Sequence, residues 1–405
     1  MSVAVLHHAL HHALYLATRS LCTAWRRSVL LIVALGLSLA LPLALARLLD
    51  GASRAMRDRA SMAPLLLGAK GSESDLVFGA MFFAATPPSG LVMSDLTRVE
   101  TENLARAIPI AVGATARKKP VVGTTVDYFA HLGVTPANEG RLFATIGECV
   151  IGANAARELD LDLGARLYSD PSALSNLAGV FPLELTIVGI LPQTNSPDDD
   201  ALLVDLHTLW SIRGLGHRHD EPAQSTTAGA VIGSKGNTTI AGEALPIARD
   251  GRDGVASDFH FHGNENEFPI DGALVIPSDA KSQAILLGRF TGANTAERLQ
   301  LVRPDQFAER VLERIFGLGR VLGAVALGTA LLVALVAATT FALSIRLRAD
   351  ELALMRRLGA SRGRVGLFLT VEAMLLLAAA VVIAAGVALI APYFAAEVLR
   401  RVAGG

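Results

Sequence analysis

The chain has 405 residues, of which 52% are hydrophobic and only 18% are charged, and its mean hydropathy is +0.45. Soluble chains usually carry about 25% charged residues, so this composition fits either one large soluble core or a membrane protein with a sizeable polar part. A net charge of −1 provides no field that would attract nucleic acid. Two cysteines are too few for a disulfide-stapled scaffold.

Three apolar segments predict membrane-spanning helices, because about 20 apolar residues suffice to cross the hydrocarbon layer. The spans are expected at residues 28–48, 318–345 and 365–392, and an ionisable residue, Glu372, lies inside the third. The first segment could instead be a cleaved signal peptide. However, 27 residues precede it, and the apolar region of a signal peptide spans about 7–15 residues. An uncleaved signal anchor is therefore favoured.

The short loop between the second and third spans sets the orientation. Residues 346–364 contain six arginines and two acidic residues, and loops rich in arginine stay in the cytoplasm. By parity, the amphipathic N-terminal segment 1–27 is cytoplasmic and residues 49–317 lie outside. Cys22 and Cys149 then lie on opposite sides of the membrane and cannot pair with each other.

The outside segment reads as a folded α+β domain, because strand-like and helix-like runs follow one another without strict alternation. Residues 148–168 predict a strand, then a helix over Ala153–Leu159, then a turn. Residues 183–210 predict two strands around a Pro/Asn/Asp turn, followed by a helix that begins at Asp205. The polar, glycine-rich stretch 213–264 is less regular and predicts an insertion or mobile subdomain.

The loop and the outside domain carry a family resemblance. Residues 346–362 read RLRADELALMRRLGASR, and the outside segment contains VIG at 150–152, VGI at 188–190 and DDALLVD at 199–205. With these motifs the chain resembles the FtsX-like (MacB-type) permeases of ABC transport systems. The outside part is similar to the MacB periplasmic core domain.

The resemblance implies a multi-pass permease subunit in the bacterial inner membrane that exports, extracts or handles an envelope substrate. ATP would be hydrolysed by a separate ABC ATPase subunit, and the permease would form a homodimer or pair with another permease chain. The family usually has a fourth span, whereas three are predicted here. The chain is then naturally short, truncated or completed by another subunit, and the short tail 393–405 is expected outside. A non-transporting regulator of a periplasmic partner protein, or a membrane-anchored metal-binding protein, remains an alternative.

No intrinsic catalysis is expected. Two short segments combine glycine and lysine, GAKGS at residues 68–72 and GSKG at residues 233–236. Neither has the G-x4-G-K-[ST] order of a phosphate-binding loop. No nucleophile, base or carboxylate pair stands at the spacing of a known catalytic motif.

The basic loop predicts a short amphipathic helix. Leu347, Glu351, Leu354, Met355 and Leu358 fall at helical spacing, so one face is largely apolar and the other carries arginines. This helix either lies on the membrane surface or, as the resemblance implies, docks the ATPase. We expect this helix to end at Gly359, because glycine readily adopts the left-handed conformation that ends many helices. The residues assigned to ATPase coupling are Arg348, Glu351, Met355, Arg356, Arg357, Gly359 and Arg362.

Glu372 is a candidate functional residue because ionisable groups inside a membrane span are costly. We expect it to face the helix bundle and to bond a neighbouring helix without carrying protons.

Two H-x-H pairs form a candidate metal site. They consist of His217 with His219 and His260 with His262. An H-x-H pair on a strand places both imidazoles on one face, and imidazole is a zinc ligand. Polar surface loops are the alternative interpretation. The segments 64–72 and 259–263 also resemble a permease subgroup linked to zinc-responsive genes, which implies zinc as the metal.

Overall fold

The computed structural model describes residues 3–137, 139–171, 182–218, 231–235, 238–241, 259–261, 263–291 and 298–403. Its contacts divide the chain into two units. The helical unit contains Met1–Arg54 and Val311–Gly405, and the sheet domain contains Ala55–Arg310.

Eleven helices are formed by the described residues. They are α1 (Val3–Thr23), α2 (Trp25–Ala60), α3 (Glu73–Ala80), α4 (Thr97–Glu100), α5 (Val126–Leu132), α6 (Ala153–Leu159), α7 (Leu206–Ile212), α8 (Ala280–Thr291), α9 (Pro304–Leu347), α10 (Ala349–Arg357) and α11 (Arg362–Ala403). The expectation of three apolar helices is confirmed, because α2, α9 and residues 362–391 of α11 are long and apolar enough to cross a membrane.

The strands lie in the sheet domain. They are β1 (Leu65–Ala69), β2 (Leu91–Val92), β3 (Ala105–Ala116), β4 (Lys119–Thr124), β5 (Glu148–Ile151), β6 (Arg166–Tyr168), β7 (Glu184–Ile190), β8 (Leu202–Asp205), β9 (Gly216–Arg218), β10 (Val231–Lys235), β11 (Thr238–Ala241), β12 (Phe259–Phe261), β13 (Pro269–Ile270), β14 (Gly272–Pro277) and β15 (Leu299–Val302).

Nine strands form one mixed sheet in the order β15-β1-β14-β3-β4-β8-β5-β7-β6. Strand β4 runs parallel to β8 and β5 runs parallel to β7, while the other neighbours are antiparallel. Strands β1 and β5 are buried over their whole length, and most residues of β3, β4 and β8 are buried as well. This arrangement confirms the α+β fold class, since strands and helices do not alternate as in a doubly wound sheet.

Local sequence signals position two of the helices as expected. Helix α6 covers Ala153–Leu159, the range predicted from the sequence. Asp205 caps α7, because its Oδ2 accepts a hydrogen bond of 2.8 Å from the backbone N–H of His207. A side-chain oxygen at this position satisfies a backbone donor that the first helical turn leaves free.

In the helical unit, small residues let α1 lie along α11. Ala13 and Ala17 of α1 are buried, and Ala17 shares an apolar cluster with Leu352 of α10 and Phe368 of α11. A second cluster of Leu31, Ala337 and Leu376 joins α2, α9 and α11. The N-terminal helix is therefore packed against the third apolar helix along one face.

Gly152, between β5 and α6, has room for no side chain. A Cβ placed there would lie 2.1 Å from the carbonyl oxygen of Asp198 and 2.4 Å from that of Asp199. The φ of Gly152 is −70°, which any residue can adopt. Glycine is therefore required because a side chain would clash, and not because of the backbone conformation. The close approach holds the β5–α6 turn against the 3₁₀ turn Pro197–Asp200.

We predict that Gly152→Ala lowers the free energy of unfolding by about 2–3 kcal/mol, because backbone atoms on both sides must move apart. Denaturant unfolding of the full-length chain in detergent measures the change. Gly288→Ala is the matched control, since it adds the same methyl group to the exposed α8 with nothing within 4 Å. Gly288→Ala should raise the free energy of unfolding by up to about 1 kcal/mol. If both variants lowered the free energy of unfolding equally, the steric explanation would be contradicted.

Candidate functional site

The end of α2 is anchored in the sheet domain by a buried arginine. Arg59, in the last turn of α2, is 4% exposed. Its Nη1 and Nη2 donate to the two carboxylate oxygens of Asp198 at 2.7 and 3.2 Å. Its Nε donates to the carbonyl oxygen of Met81 at 2.6 Å. A bidentate guanidinium–carboxylate pair fixes both the position and the rotation of its partners.

Tyr128 completes this anchor. Its hydroxyl donates to Oδ1 of Asp198 at 2.6 Å and accepts from Nη2 of Arg59 at 2.9 Å. Burial raises the pKa of the Tyr128 phenol, so the hydroxyl stays protonated and keeps its hydrogen bond to the carboxylate. The three side chains form one network, which we call the Arg59 anchor.

The first turns of α9 contact the same part of the sheet domain. The ring of Phe307 packs edge-on against Phe78 of α3 with centroids 5.6 Å apart. Arg310 pairs with Glu73 of α3 at 2.5 Å. Arg57 of α2 pairs with Glu309 of α9 at 2.9 Å, so the end of α2 and the beginning of α9 are joined to each other.

The basic loop between α9 and α11 contains the short helix α10, which ends as expected. Gly359 has a φ of +96°. Its N–H donates to the carbonyl oxygen of Arg356 at 3.1 Å, and the N–H of Ala360 donates to that of Met355 at 3.0 Å. These paired bonds are the glycine-terminated cap that closes many helices.

Helix α10 is buried on one side and exposed on the other. Leu352 is buried against Ala17 and Phe368, and Met355 is half-buried beside it. Leu354 and Leu358 are 56% and 81% exposed. The sequence pattern did not indicate this packing, because Leu352 is not one of the residues at the predicted spacing, and α1 and α11 pack on the side that Leu352 occupies.

Three arginines assigned to coupling are exposed, whereas Arg348 is half-buried. Arg356, Arg357 and Arg362 are exposed. Arg348 lies between α9 and α10, and its Nε is 3.4 Å from Oε2 of Glu351. We call Leu354, Leu358 and the three exposed arginines the loop surface.

Glu372 lies in a polar cluster inside the helical unit. Its side chain is fully buried, and Oε1 accepts from Ser20 of α1 at 2.8 Å and from Nη1 of Arg348 at 3.2 Å. Arg348 also donates to Ser20 at 2.8 Å. Nη2 of Arg27, in α2, is 3.9 Å from Oε1. We call Ser20, Arg27, Arg348 and Glu372 the Glu372 cluster.

The structure places two of the four candidate metal ligands at paired positions of neighbouring strands. Strands β9 and β12 are antiparallel, and His217 and His260 are direct register partners. His219 and His262 lie outside the described residues. Among the described side chains, no group of three or more His, Cys, Asp and Glu is arranged to hold a metal ion.

The Arg59 anchor was not among the sequence-predicted sites. An arginine in the last turn of a long apolar helix and the acidic run Asp198–Asp200 are visible in the sequence. Neither signal says that residues 139 positions apart form a pair, so only the tertiary structure reveals the anchor.

Comparison with known proteins matches both parts of the chain. The family profile of the MacB-like periplasmic core domain matches residues 28–241, more than half of the chain. The profile of the FtsX-like permease C-terminal region matches residues 323–401. No curated protein sequence matched the chain.

One solved structure that the chain resembles is described as "Crystal structure of the extracellular domain of noncanonic ABC-type transporter YknZ from Gram-positive bacteria". The likeness has 12% sequence identity and a TM-score of 0.31, and it covers 59% of this chain and 98% of that one.

The three apolar helices and the mixed sheet define a membrane protein with an extracytoplasmic α+β domain, of the class of ABC-transporter permease subunits. The chain belongs to the FtsX-like permease family, with a MacB-like periplasmic core domain. Proteins of this family are components of ABC transporters and work with an ATPase.

We predict that Asp198→Asn destabilises the protein by about 3–5 kcal/mol, because it leaves the Arg59 guanidinium buried without a counter-charge. Denaturant unfolding of the Trp25→Phe protein in detergent, followed by the fluorescence of buried Trp210, reports on the sheet domain. Asp200→Asn is the matched control. Asp200 is half-exposed and pairs with Lys119 at 3.3 Å, so its loss should cost under about 1 kcal/mol. Equal losses would show that the Arg59 anchor is not a principal stabilising contact.

Proposed function

We propose that the chain couples ATP hydrolysis by a separate ATPase to movement of its extracytoplasmic domain, in order to export, extract or handle an envelope substrate. The observation that carries the proposal is the loop surface. Leu354 and Leu358 are exposed on a helix whose other face is fixed by Leu352. Exposed apolar side chains rimmed by arginines are typical of a protein-binding surface.

The proposed orientation places the loop surface and α1 in the cytoplasm and the sheet domain outside, in a multi-pass inner-membrane protein. The arginine-rich loop supports this orientation. In this arrangement the ATPase would bind the loop surface, and α9 and α2 would carry the movement to the sheet domain. The anchored ends of both helices support such transmission, since each is held by ion pairs or buried rings. The chain itself would perform no catalysis.

A homodimer, or a pair with another permease chain, is proposed as the working assembly, because the resembled permeases act as half-transporters. A regulator that moves a periplasmic partner without transport would use the same loop surface. Accumulation of substrate in a deletion strain separates these two functions. A transporter predicts a change in envelope composition, and a regulator predicts a change only in the partner's activity.

The docking proposal predicts that Leu354→Glu with Leu358→Glu weakens co-purification of the cognate ATPase by at least about tenfold, because two charges enter an apolar contact. The full-length chain in detergent is the bait, and the retained ATPase is quantified. Leu163→Glu is the matched control, since Leu163 is an exposed leucine of the sheet domain and should have no effect. Unchanged capture by the double variant would place the ATPase elsewhere.

A second candidate function, binding of zinc outside the membrane, is favoured by the register of β9 and β12. Directly opposed residues in an antiparallel pair have Cβ atoms about 4.5–5.5 Å apart. Histidines at two such positions could supply two of the four ligands that a zinc ion usually has in proteins. We propose His217 and His260 as ligands, and His219 and His262 remain predicted ligands in the same segments. Zinc would be a transported or sensed ion in this proposal.

Zinc binding predicts a heat of association when zinc chloride at micromolar concentration is titrated into the full-length protein in detergent. His217→Ala and His260→Ala should each weaken the affinity by at least about tenfold, as expected for loss of a ligand. A variant with His11→Ala and His12→Ala is the control for binding by the N-terminal histidines. The proposed zinc site at His217 and His260 would be excluded if the wild-type protein bound no zinc. It would also be excluded if only the variant with His11→Ala and His12→Ala lost binding.

A further inference from the structure

The Glu372 cluster uses only part of its hydrogen-bonding capacity. All contacts of the carboxylate go to Oε1, and Oε2 is buried with no hydrogen-bond partner among the described residues. Within the same described part of the chain, Nε and Nη2 of Arg27 are buried and unpartnered as well. Buried polar atoms in native proteins are nearly always satisfied. Oε2 of Glu372 and the two nitrogens of Arg27 therefore have the capacity for further hydrogen bonds.

Two arginines from different elements face this one carboxylate. Arg348 lies at the junction of α9 and α10 and makes a single contact of 3.2 Å with Oε1. Arg27 lies in the first turn of α2, with Nη2 at 3.9 Å from the same oxygen. Arginine and carboxylate prefer two parallel hydrogen bonds. If Arg27 moved closer to Glu372, its unpartnered Nε and Nη2 would donate hydrogen bonds to the carboxylate, and Oε2 would gain a partner.

Ser20 makes the exchange feasible. Its hydroxyl donates to Oε1 of Glu372 and accepts from Nη2 of Arg348. If Arg348 withdrew with α10, Ser20 would still donate to the carboxylate, and Arg27 would supply the positive charge. Glu372 would thus remain paired in both arrangements, which a fully buried carboxylate requires.

We infer that Glu372 is a positioning residue with two alternative arginine partners. In the arrangement described here it holds Arg348, and with it the start of the helix that carries the loop surface. When that helix moves, Glu372 passes to Arg27 and thereby joins α11 to the first turn of α2. The inference rests on the proposed function, because docking of the ATPase supplies the movement.

Partner exchange predicts that either arginine can replace the other. Arg27→Gln and Arg348→Gln should each lower the folding equilibrium constant of the full-length protein in mixed micelles by less than about tenfold. The double variant should lower it by more than about 100-fold, since the buried carboxylate then has no counter-charge. Adding Glu372→Gln to the double variant should restore most of this loss.

Arg346→Gln is the matched control, because Arg346 is an exposed arginine of the same loop. Combined with Arg27→Gln, it should show simple additivity. A loss from Arg348→Gln alone that equals the loss in the double variant would overturn the inference, as Arg27 would then not replace it. Failure of Glu372→Gln to rescue the double variant would also overturn it.

A second experiment separates exchange from a static role. In lipid nanodiscs with the cognate ATPase, Arg27→Gln should leave ATPase binding unchanged but lower the ATP turnover of the complex, because one partner state is lost. A static Arg348–Glu372 pair predicts unchanged turnover, which would contradict the inference. If the ATPase does not bind even the wild-type chain, the proposed function fails. The stability measurements still decide whether the two arginines exchange.

Discussion

The bidentate pair between Arg59 and Asp198 is the interaction that fixes the last turn of α2 within the sheet domain. A guanidinium removed from water is tolerated only if its charge and its donors are matched. Here Asp198, Tyr128 and the carbonyl of Met81 supply those partners. Because these partners come from three separate segments, the pair forms only when those segments are already in place. It therefore specifies one position for the end of α2.

The chain order makes this anchor mechanically important. The sheet domain is inserted between α2 and α9, so these two helices are its covalent connections to the helical unit. Both connections end in polar or aromatic contacts on the domain, and Arg57 links them through Glu309. Within the sheet domain, the end of α2 and the beginning of α9 are therefore held to each other and to the domain by side-chain contacts.

Local signals predicted local structure well, and tertiary packing explains what they missed. The range of α6, the cap at Asp205 and the stop at Gly359 follow from short-range hydrogen bonds and were predicted correctly. The burial of Leu352 in α10 was not predicted, since helical spacing alone does not say which side α11 covers. The partner of Arg59 could not be predicted, because nothing in either segment encodes their proximity.

The two polar networks differ in a way that relates structure to movement. In the Arg59 anchor each guanidinium nitrogen has a partner. A displacement there would break these bonds, because no unpartnered nitrogen of Arg59 is left to form a new one. In the Glu372 cluster, idle atoms remain on Glu372 and Arg27, and a displacement can form bonds as it breaks others. The Arg59 anchor is thus a fully paired contact within the sheet domain, whereas the Glu372 cluster has the unused hydrogen-bonding capacity that the proposed change of partner requires.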